Sequence, residues 1–381
     1  MGAITKVYLN NAATSYPKPE TVVSAVSRFI NSMPFHSSRS GFSEGKDDIL
    51  DACRKKLASL INTKKQSNII FTSGATESLN LAIFGNRFSE AHIITTAAEH
   101  NSVLRPLKLL EKQGKISLDI VEADSSGIIN PKSICKKINK KTKAIIVNHC
   151  SNVTGLGIDL EEIGQITNSN GMKFIVDASQ SIGSINIDVE KFSIDILAFT
   201  GHKQLFGLQG IGGIFIKDDL SLEPLKVGGT GVKSELLFQP DYMPVYYEAG
   251  TQNYSGIVSL NAGLDFIFET GIEEIRNKKN ELFRFLIQEM ANIPGITLYS
   301  DNSREKNPVL PFNINRFSPE DTVYILENSY GIITRSGLHC APLIHQFIGT
   351  SPVGCARISL SYFNTFEEIE YLIKSLKEIA T

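Results

Sequence analysis

The sequence predicts an α/β protein with a mostly parallel sheet, and three observations support this fold class. Short, almost continuously apolar segments rich in β-branched residues recur from about residue 67 onwards. Longer segments with helical periodicity separate them, and such alternation is typical of parallel sheets. Unbroken apolar character indicates strands that are buried on both faces. The seven strand candidates are 68–73, 92–97, 116–122, 144–149, 173–178, 195–200 and 212–217.

The helices between these strands are marked by the residues at their ends. The helical segment 102–115 closes with Gly114, and the segment 159–171 starts at Asp159 and ends at Gly171. Aspartate is a favoured N-cap residue, and glycine is favoured just past a helix C-terminus.

A different pattern begins after residue 256. It predicts helices at 257–270 and 273–292, a strand at 309–314, a helix at 319–331, a strand at 357–363 and a last helix at 367–380. This order indicates a smaller α+β domain packed on the first. Two loops are expected at 225–255 and 35–45, and the first is long enough to suggest a functional role.

Composition excludes several classes of protein. The chain has 381 residues and a net charge of −2, so no basic surface for nucleic acid is expected. No apolar run is long enough to span a membrane, and the first residues contain no secretory apolar core. The chain has five cysteines, which argues against a disulfide framework and favours a reducing compartment. We therefore expect a cytoplasmic protein.

Lys203 is the first residue that suggests chemistry. It follows a predicted strand in the segment FTGHKQLFGLQGIGG, where five glycines lie between 201 and 213. Most lysines are solvated surface residues, but glycines at a strand end allow backbone to approach a ligand. Ligands in parallel sheets bind at the carboxyl ends of the strands. A lysine desolvated there has a lowered pKa and can form a Schiff base with a carbonyl compound.

Asp177 and Gln180 lie at another strand end, in IVDASQS. An aspartate at this position is equally compatible with a helix cap or a turn. If Lys203 binds pyridoxal 5′-phosphate (PLP), a carboxylate here would keep the pyridine nitrogen protonated, so that the ring accepts electrons.

Three further strand ends carry polar residues. In TSGATESLN a helix starts near Thr76, and its free N–H groups form a natural phosphate site. His100, in AAEHNSV, could stack on a flat ring. Asn152, in SNVTGLG, follows the strand predicted at 144–149. Each of them also reads as an ordinary loop or helix-start residue. Together, the five strand ends predict a single cofactor site.

The segments EHNSV, SNVTG, VDASQS and TGHK, in this order, resemble the signatures of class V, fold type I PLP enzymes. RSGLHC and ARISLSYFNT narrow the resemblance to the cysteine desulfurase and selenocysteine lyase family. YLNNAAT and YEAGTQNYSG match as well, so the resemblance covers nearly the whole chain. It implies a large PLP-binding domain at 15–256, and a small domain formed by 1–14 and 257–381.

The resemblance also implies a role for each matching residue. Lys203 would bind PLP covalently and move substrate protons, Asp177 would pair with the ring nitrogen, and His100 would stack on the ring. Gln180 and Asn152 would contact the ring oxygen. The phosphate would be bound by Ala75, Thr76, Thr200 and His202, with Thr251 reaching the site of a second subunit, so that the enzyme would be a homodimer. The substrate would be bound by Arg357, Asn11, Ala12, Asn152 and Arg335.

Two positions depart from the family pattern. The chain has Gln252 where many members have proline, and Asn10 where many have aspartate. The sequence offers no physical account of either change.

Cys340 stands in RSGLHCAP, directly after His339 and five residues after Arg335, and both of these residues are potential cations. From the residues alone it could be a packed apolar side chain or a nucleophile whose thiolate a cation favours. A metal site with His339 and His345 is a third reading, although the spacing fits no standard zinc pattern. The resemblance implies the nucleophile. We expect Cys355, Cys53, Cys135 and Cys150 to be structural.

The resulting hypothesis is a PLP-dependent cysteine desulfurase that converts L-cysteine to L-alanine and holds the sulfur as a persulfide on Cys340. The acceptor would be a small thiol or a protein, such as an iron–sulfur scaffold, a carrier or a tRNA-modifying enzyme. A selenocysteine lyase acting on L-selenocysteine, a class V aminotransferase and a cysteine C–S lyase remain alternatives, as does a non-enzymatic sulfur carrier or PLP-binding scaffold.

Overall fold

A computed structural model of the chain describes residues 6–32, 48–300 and 306–380. The predicted loop at 35–45 lies outside the described residues. The strands are β1 Val7–Tyr8, β2 Ile69–Thr72, β3 Ala91–Thr96, β4 Ile116–Val121, β5 Thr142–Asn148, β6 Lys173–Asp177, β7 Ile196–Thr200, β8 Gly212–Ile216, β9 Ile296–Leu298, β10 Val309–Ile314, β11 Ile332–Ile333 and β12 Ala356–Ser359. The helices are α1 Glu20–Ile30, α2 Ile49–Leu60, α3 Ala75–Phe84, α4 Asn101–Lys112, α5 Pro131–Cys135, α6 Leu160–Ser169, α7 Tyr254–Thr270, α8 Ile272–Ala291, α9 Pro319–Tyr330, α10 Ile344–Phe347 and α11 Phe366–Ala380.

The seven predicted strands form one sheet, in the order β2-β8-β7-β6-β5-β3-β4. β8 is antiparallel to both β2 and β7, and the other neighbouring pairs are parallel. Each strand overlaps its predicted segment, so the predicted α/β fold class with a mostly parallel sheet is confirmed. The antiparallel β8 could not be read from its apolar pattern, because that pattern reports burial and not direction.

Both faces of this sheet are buried, as its apolar strands predict. Successive side chains of a strand point to opposite faces. Val176 and Leu197 accordingly belong to one apolar core, whereas their neighbours Ile175 and Ile196 belong to the other. The sheet is therefore a rigid central layer, and the loops at its carboxyl edge are held from both sides.

The remaining strands form two small sheets. β1 pairs in parallel with β11, and β10 lies between β9 and β12 in a three-stranded antiparallel sheet. A third apolar core lies here, and Val7 and Leu9 share it with residues between 282 and 376. The first strand of the chain thus packs with its last third, while the predicted domain boundary at 256 stays a prediction.

Within residues 6–32, 48–300 and 306–380, no helix is both long enough and apolar enough to cross a bilayer.

Gly155 is a point of close approach between the loop after β5 and the segment before β10. It has φ +75°, and a Cβ atom there would lie 2.3 Å from the carbonyl oxygen of Asn307. We expect Gly155→Ala to lower the free energy of unfolding by about 3 kcal/mol, because the clash adds to the left-handed strain. The matched control is Gly171→Ala, which has φ +62° and open space around it, and should cost about 1 kcal/mol. Urea denaturation of both variants measures the difference, and equal costs would show that the contact with Asn307 adjusts freely.

Candidate active site

A cavity of about 300 Å³ lies at the carboxyl ends of β5, β6 and β7, beside the start of α3. This volume is at the lower end of the range for small-molecule sites. Nine of the predicted site residues line it: Ala75, Thr76, His100, Asn152, Asp177, Gln180, Thr200, His202 and Lys203. The expected convergence of the strand ends therefore occurs.

Lys203 lies three residues beyond the end of β7. Its amine forms no hydrogen bond and no ion pair with any described residue. Burial lowers the pKa of Lys203 from its ordinary value of 10.5 to about 8. The Asp177 carboxylate opposes this shift, whereas the guanidinium groups of Arg357 and Arg335 add to it. An amine in this state is available for bonding to an aldehyde near neutral pH.

Asp177 is the last residue of β6 and is buried. Its Oδ1 accepts hydrogen bonds from the backbone N–H of Ser179, at 2.9 Å, and from the Ser179 hydroxyl. Asp177 can therefore stabilise a turn and also take its predicted cofactor role. The bonds to Oδ1 hold the carboxylate in place, and no described residue forms a hydrogen bond with Oδ2.

His100 is the N-cap of α4, and its Nδ1 accepts a hydrogen bond from the Ser102 backbone N–H at 3.1 Å. Burial lowers the pKa of His100, so its ring is neutral at pH 7. The Ser102 hydroxyl lies 2.8 Å from this nitrogen and 2.9 Å from the Thr76 hydroxyl. This chain of contacts connects the imidazole to the start of α3.

The start of α3 suits an anion. Its first residues are Ala75 and Thr76, and Gly74 is its N-cap. Backbone N–H groups of a first helical turn have no intrahelical partner. Thr200 and His202 face the same cavity, and burial lowers the pKa of His202 to about 4.

Three buried polar atoms around the cavity have no hydrogen-bond partner among the described residues. They are Oδ1 of Asn152, Oε1 of Gln180 and Nδ1 of His202. Buried polar atoms are nearly always paired with protein, water or a ligand. Together with the free amine, the carboxylate and the helix N-terminus, these atoms fit a flat, polar cofactor with a phosphate, as PLP is.

The N-terminal segment closes one side of the site. The carbonyl oxygen of Ala12 accepts a hydrogen bond from Gln180 Nε2 at 2.9 Å, and Asn11 donates through Nδ2 to the Ser359 carbonyl at 3.1 Å. Farther along, Lys18 Nζ lies 2.8 Å from the Ser15 hydroxyl and 3.1 Å from the His202 carbonyl. Residues 11 to 18 therefore hold the loop that carries Lys203.

Arg357 lies on β12 and is fully buried. It donates from Nη1 to the Asn152 carbonyl and from Nη2 to Asn10 Oδ1, both at 2.9 Å, and its Nε has no partner among the described residues. Burial and the neighbouring Arg335 lower the pKa of Arg357 to about 9, so it carries its charge at neutral pH. The site thus holds a fixed cation that suits a carboxylate. Asn10, one of the two departures from the family pattern, orients it.

Cys340 lies on a tight turn near the cavity. Its φ is +59°, and the preceding His339 has φ +49°. The Cys340 carbonyl accepts a hydrogen bond from the Asn101 N–H at 2.7 Å, and the His339 carbonyl accepts one from Asn152 Nδ2 at 2.7 Å. The turn is therefore fixed to residues next to His100 and in the cavity wall, while the Cys340 side chain is exposed.

Only one of the two expected cations lies beside the thiol. Arg335 Nη2 is 3.9 Å from Cys340 Sγ. His339 is buried, its Nε2 lies 3.0 Å from the Cys355 carbonyl, and burial lowers the pKa of His339 well below its usual range. Of the two potential cations, His339 is neutral and anchors the turn, so only Arg335 places a positive charge beside the thiol.

Of the four cysteines that were expected to be structural, three are buried and one is exposed. Cys53, Cys150 and Cys355 are buried as expected, but Cys135 is exposed at the end of α5, so its assignment as a packed residue is wrong. A five-residue helix gave too little periodicity to indicate its outer face. Thr251 is exposed and does not line the cavity.

Among the described residues, no group of three or more His, Cys, Asp and Glu side chains could hold a metal ion. His345 Nδ1 instead lies 2.6 Å from the Thr350 hydroxyl.

Sequence reasoning missed several residues that line the cavity or support it. Ser179 and Ser102 lie in the motifs IVDASQS and AAEHNSV, but they were not predicted as site residues. Their position as small hydroxyl residues next to a charged group could have indicated them. Glu99 is fully buried, and burial raises its pKa to about 8. It accepts hydrogen bonds from Thr96 Oγ1 and from the Asn148 N–H, and so ties the ends of β3 and β5 together.

Comparisons with known proteins identify the family of this chain. The family model described as aminotransferase class-V matches residues 7–372. A probable cysteine desulfurase of Methanothermobacter thermautotrophicus is 34% identical, over 98% of this chain and 94% of the relative. The apo structure of a cysteine desulfurase from Thermococcus onnurineus has a TM-score of 0.89 at 30% identity, covering 98% of this chain and 94% of that chain.

A second solved structure, a cysteine desulfurase from Escherichia coli in an S-sulfonic acid form, also has a TM-score of 0.89, at 28% identity, and the match covers 98% of this chain and 94% of that chain. The class V assignment implies PLP as the cofactor, and the residues around the cavity fit it. The chain belongs to the cysteine desulfurase family of class V, PLP-dependent enzymes.

Proposed function

We propose that this chain is a cysteine desulfurase that takes the sulfur of L-cysteine onto Cys340. The observation that carries the proposal is the placement of Cys340. Its exposed thiol lies 3.9 Å from Arg335 Nη2, on a turn bonded to Asn101 and Asn152. A thiolate beside a guanidinium is a competent nucleophile, and the turn that carries this thiol is bonded to Asn152 in the wall of the proposed PLP site.

The proposed chemistry balances without an added oxidant. Bound PLP withdraws electrons from the α-carbon of the substrate. Arg357 binds the substrate carboxylate, and the neutral Lys203 amine takes the Cα proton. The Cys340 thiolate attacks the substrate sulfur, so that an S–S bond forms and the Cβ–S bond breaks. The carbon keeps the electron pair and is protonated, which gives L-alanine and a Cys340 persulfide.

Product analysis tests this proposal. In a single turnover without reductant, we expect one alanine per site and one added sulfur on the peptide that contains Cys340, detected by mass spectrometry. Adding a small thiol should release sulfide and allow repeated turnover. Pyruvate and free sulfide without alanine would contradict the proposal and indicate a C–S lyase. Alanine from selenocysteine only would indicate a selenocysteine lyase.

The pKa of Lys203 predicts how the apoenzyme captures PLP. Burial lowers this pKa to about 8, so the reactive neutral amine rises about tenfold per pH unit below pH 8 and is the main form above it. We expect the capture rate, followed by stopped-flow absorbance from about pH 6 to 10, to rise and then level off near pH 8. Nα-acetyl-lysine, the control, should continue to rise up to its ordinary pKa near 10.4. A protein profile that matches the free amino acid would contradict the shift.

We also propose that the protein works as a homodimer, as its family resemblance implies. The loop 225–255 carries the exposed Thr251, and its apolar side chains Leu237 and Phe238 are 97% and 87% exposed. Exposed apolar patches of this kind often mark interfaces. The double variant Leu237→Glu, Phe238→Glu should shift the mass measured by light scattering from dimer to monomer and weaken PLP binding. A stable dimer with unchanged PLP affinity would contradict the proposed interface.

The exposure of Cys340 supports transfer of the persulfide to an external acceptor, either a small thiol or a protein. All five cysteines are free, which supports the predicted reducing, cytoplasmic compartment.

A further inference from the structure

Lys279 is a second buried lysine, and the proposed chemistry does not use it. It lies on α8 and is fully buried. Its Nζ donates to Ser184 Oγ at 2.7 Å, to Gln204 Oε1 at 2.9 Å and to Asn307 Oδ1 at 3.3 Å. All three partners are neutral and buried, and no described carboxylate pairs with this ammonium.

Burying a charge without a counter-ion is costly, so an arrangement like this needs a reason. Burial lowers the pKa of Lys279 to about 7, and the Cys150 thiol opposes the shift. The other titratable groups that line the small cavity beside Lys279 are His149, Arg276 and Lys306. A well-packed apolar residue would avoid this cost.

Two of the three oxygen acceptors, Gln204 and Ser184, belong to segments that carry proposed cofactor residues. Gln204 directly follows Lys203 in the chain, and Ser184 closes the turn that begins at Ser181, next to Gln180, through its N–H bond to the Ser181 carbonyl at 2.9 Å. One ammonium thus fixes the two loops that supply the amine and a ring contact. Its three N–H bonds set the spacing between these loops.

Asn307 extends the network to a third loop. Its Nδ2 donates to the Gln180 carbonyl at 2.7 Å, and its backbone N–H donates to the Gly155 carbonyl at 3.0 Å. Gly155 ends the short loop that begins after Asn152. The same asparagine therefore contacts Lys279, the Gln180 turn and the Asn152 loop.

We propose that Lys279 is a positioning residue for PLP chemistry, which acts by holding the loops of Lys203, Gln180 and Asn152 in one arrangement. The proposal rests on the function proposed above, because it takes these three residues as cofactor contacts. Displacing a reacting group by about 1 Å can lower a rate about 100-fold. Lys279→Met should therefore lower kcat by about 10- to 100-fold and weaken PLP binding about tenfold. KM should change less than about threefold, because Arg357 bonds neither Lys279 nor the three acceptors of Lys279, and Asn10 also holds it in place.

Three proteins provide the comparison. Lys278→Met is the matched control, because the Lys278 ammonium instead lies 4.3 Å from the centroid of the Tyr362 ring. Gln204→Met removes one acceptor and keeps the lysine, so it remains informative if Lys279→Met fails to fold. The double variant Lys279→Met, Gln204→Met completes a double-mutant cycle with the two single variants. If Lys279 acts through Gln204, the two losses in kcat should be clearly less than additive.

PLP affinity is measured by titrating apoenzyme and following absorbance, and Lys203 is mapped by borohydride reduction. Weaker PLP binding and a lower kcat in Lys279→Met, or in Gln204→Met if Lys279→Met does not fold, with Lys278→Met unchanged, would support the proposal. Wild-type kcat and PLP affinity in that same variant would overturn it while leaving the proposed function standing. A wild-type enzyme in which borohydride does not label Lys203 would overturn both.

Discussion

Cys340→Ser is expected to abolish sulfur transfer from cysteine while PLP binding is retained. A serine hydroxyl is far less nucleophilic toward sulfur than a thiolate, and the rest of the site is unchanged. We expect alanine formation to fall by at least about 10³-fold, because loss of a nucleophile removes a covalent step that no neighbouring group can replace. The absorbance of bound PLP and the mobilisation of the substrate Cα proton, measured by exchange with deuterated solvent, should both persist.

Cys135→Ser is the matched control, since Cys135 is the other exposed thiol among the five cysteines. It lies at the end of α5, outside the cavity, and its replacement should leave alanine formation within about twofold of wild type. Wild-type alanine formation by the Cys340 variant would refute the proposed role of this thiol. The chain would then be a PLP enzyme that releases sulfur by another route.

Lys203→Ala should have a comparable effect through a different step. The variant loses both the covalent attachment of PLP and the amine that moves the Cα proton. Loss of a general acid–base group alone costs about 10² to 10⁴-fold, so we expect alanine formation to fall by more than about 10³-fold. After borohydride reduction, no labelled peptide should contain residue 203, and exchange of the Cα proton should disappear as well.

The proton exchange separates the two variants. It persists without Cys340 and is lost without Lys203, because only the lysine acts at the α-carbon. Lys112→Ala, at the exposed end of α4, serves as the control and should retain wild-type labelling and activity. Labelling of a different lysine in the wild type would contradict the assignment of Lys203.

The sheet could be predicted from the sequence because burial on both faces leaves an unbroken apolar pattern in each strand. Asp177 and Thr200 could be placed at strand ends for the same reason. A carboxyl edge gathers such residues in one place, so their convergence followed from topology.

Contacts between distant parts of the chain could not be predicted in this way. The bond from Arg357 to Asn10 spans 347 positions, and the bond from Lys279 to Ser184 spans 95. No periodicity links such pairs, and Lys279 has the helical surroundings of an ordinary surface lysine. The role of His339 could not be predicted for a related reason, since its protonation depends on burial by residues far away in the chain.

The pairing of β1 with β11 and the bond from Asn10 to Arg357 determine when the active site can form during synthesis. Asn10 leaves the ribosome long before its partner, which is 347 residues behind it. At about 5 to 20 residues per second, the wait is roughly 20 to 70 s. During that time the nascent chain can fold its central sheet, but it cannot form the bonds that Arg357 makes to Asn10 and Asn152. The cation proposed to bind the substrate carboxylate is therefore positioned only after residue 357 has emerged, so shorter nascent chains lack it.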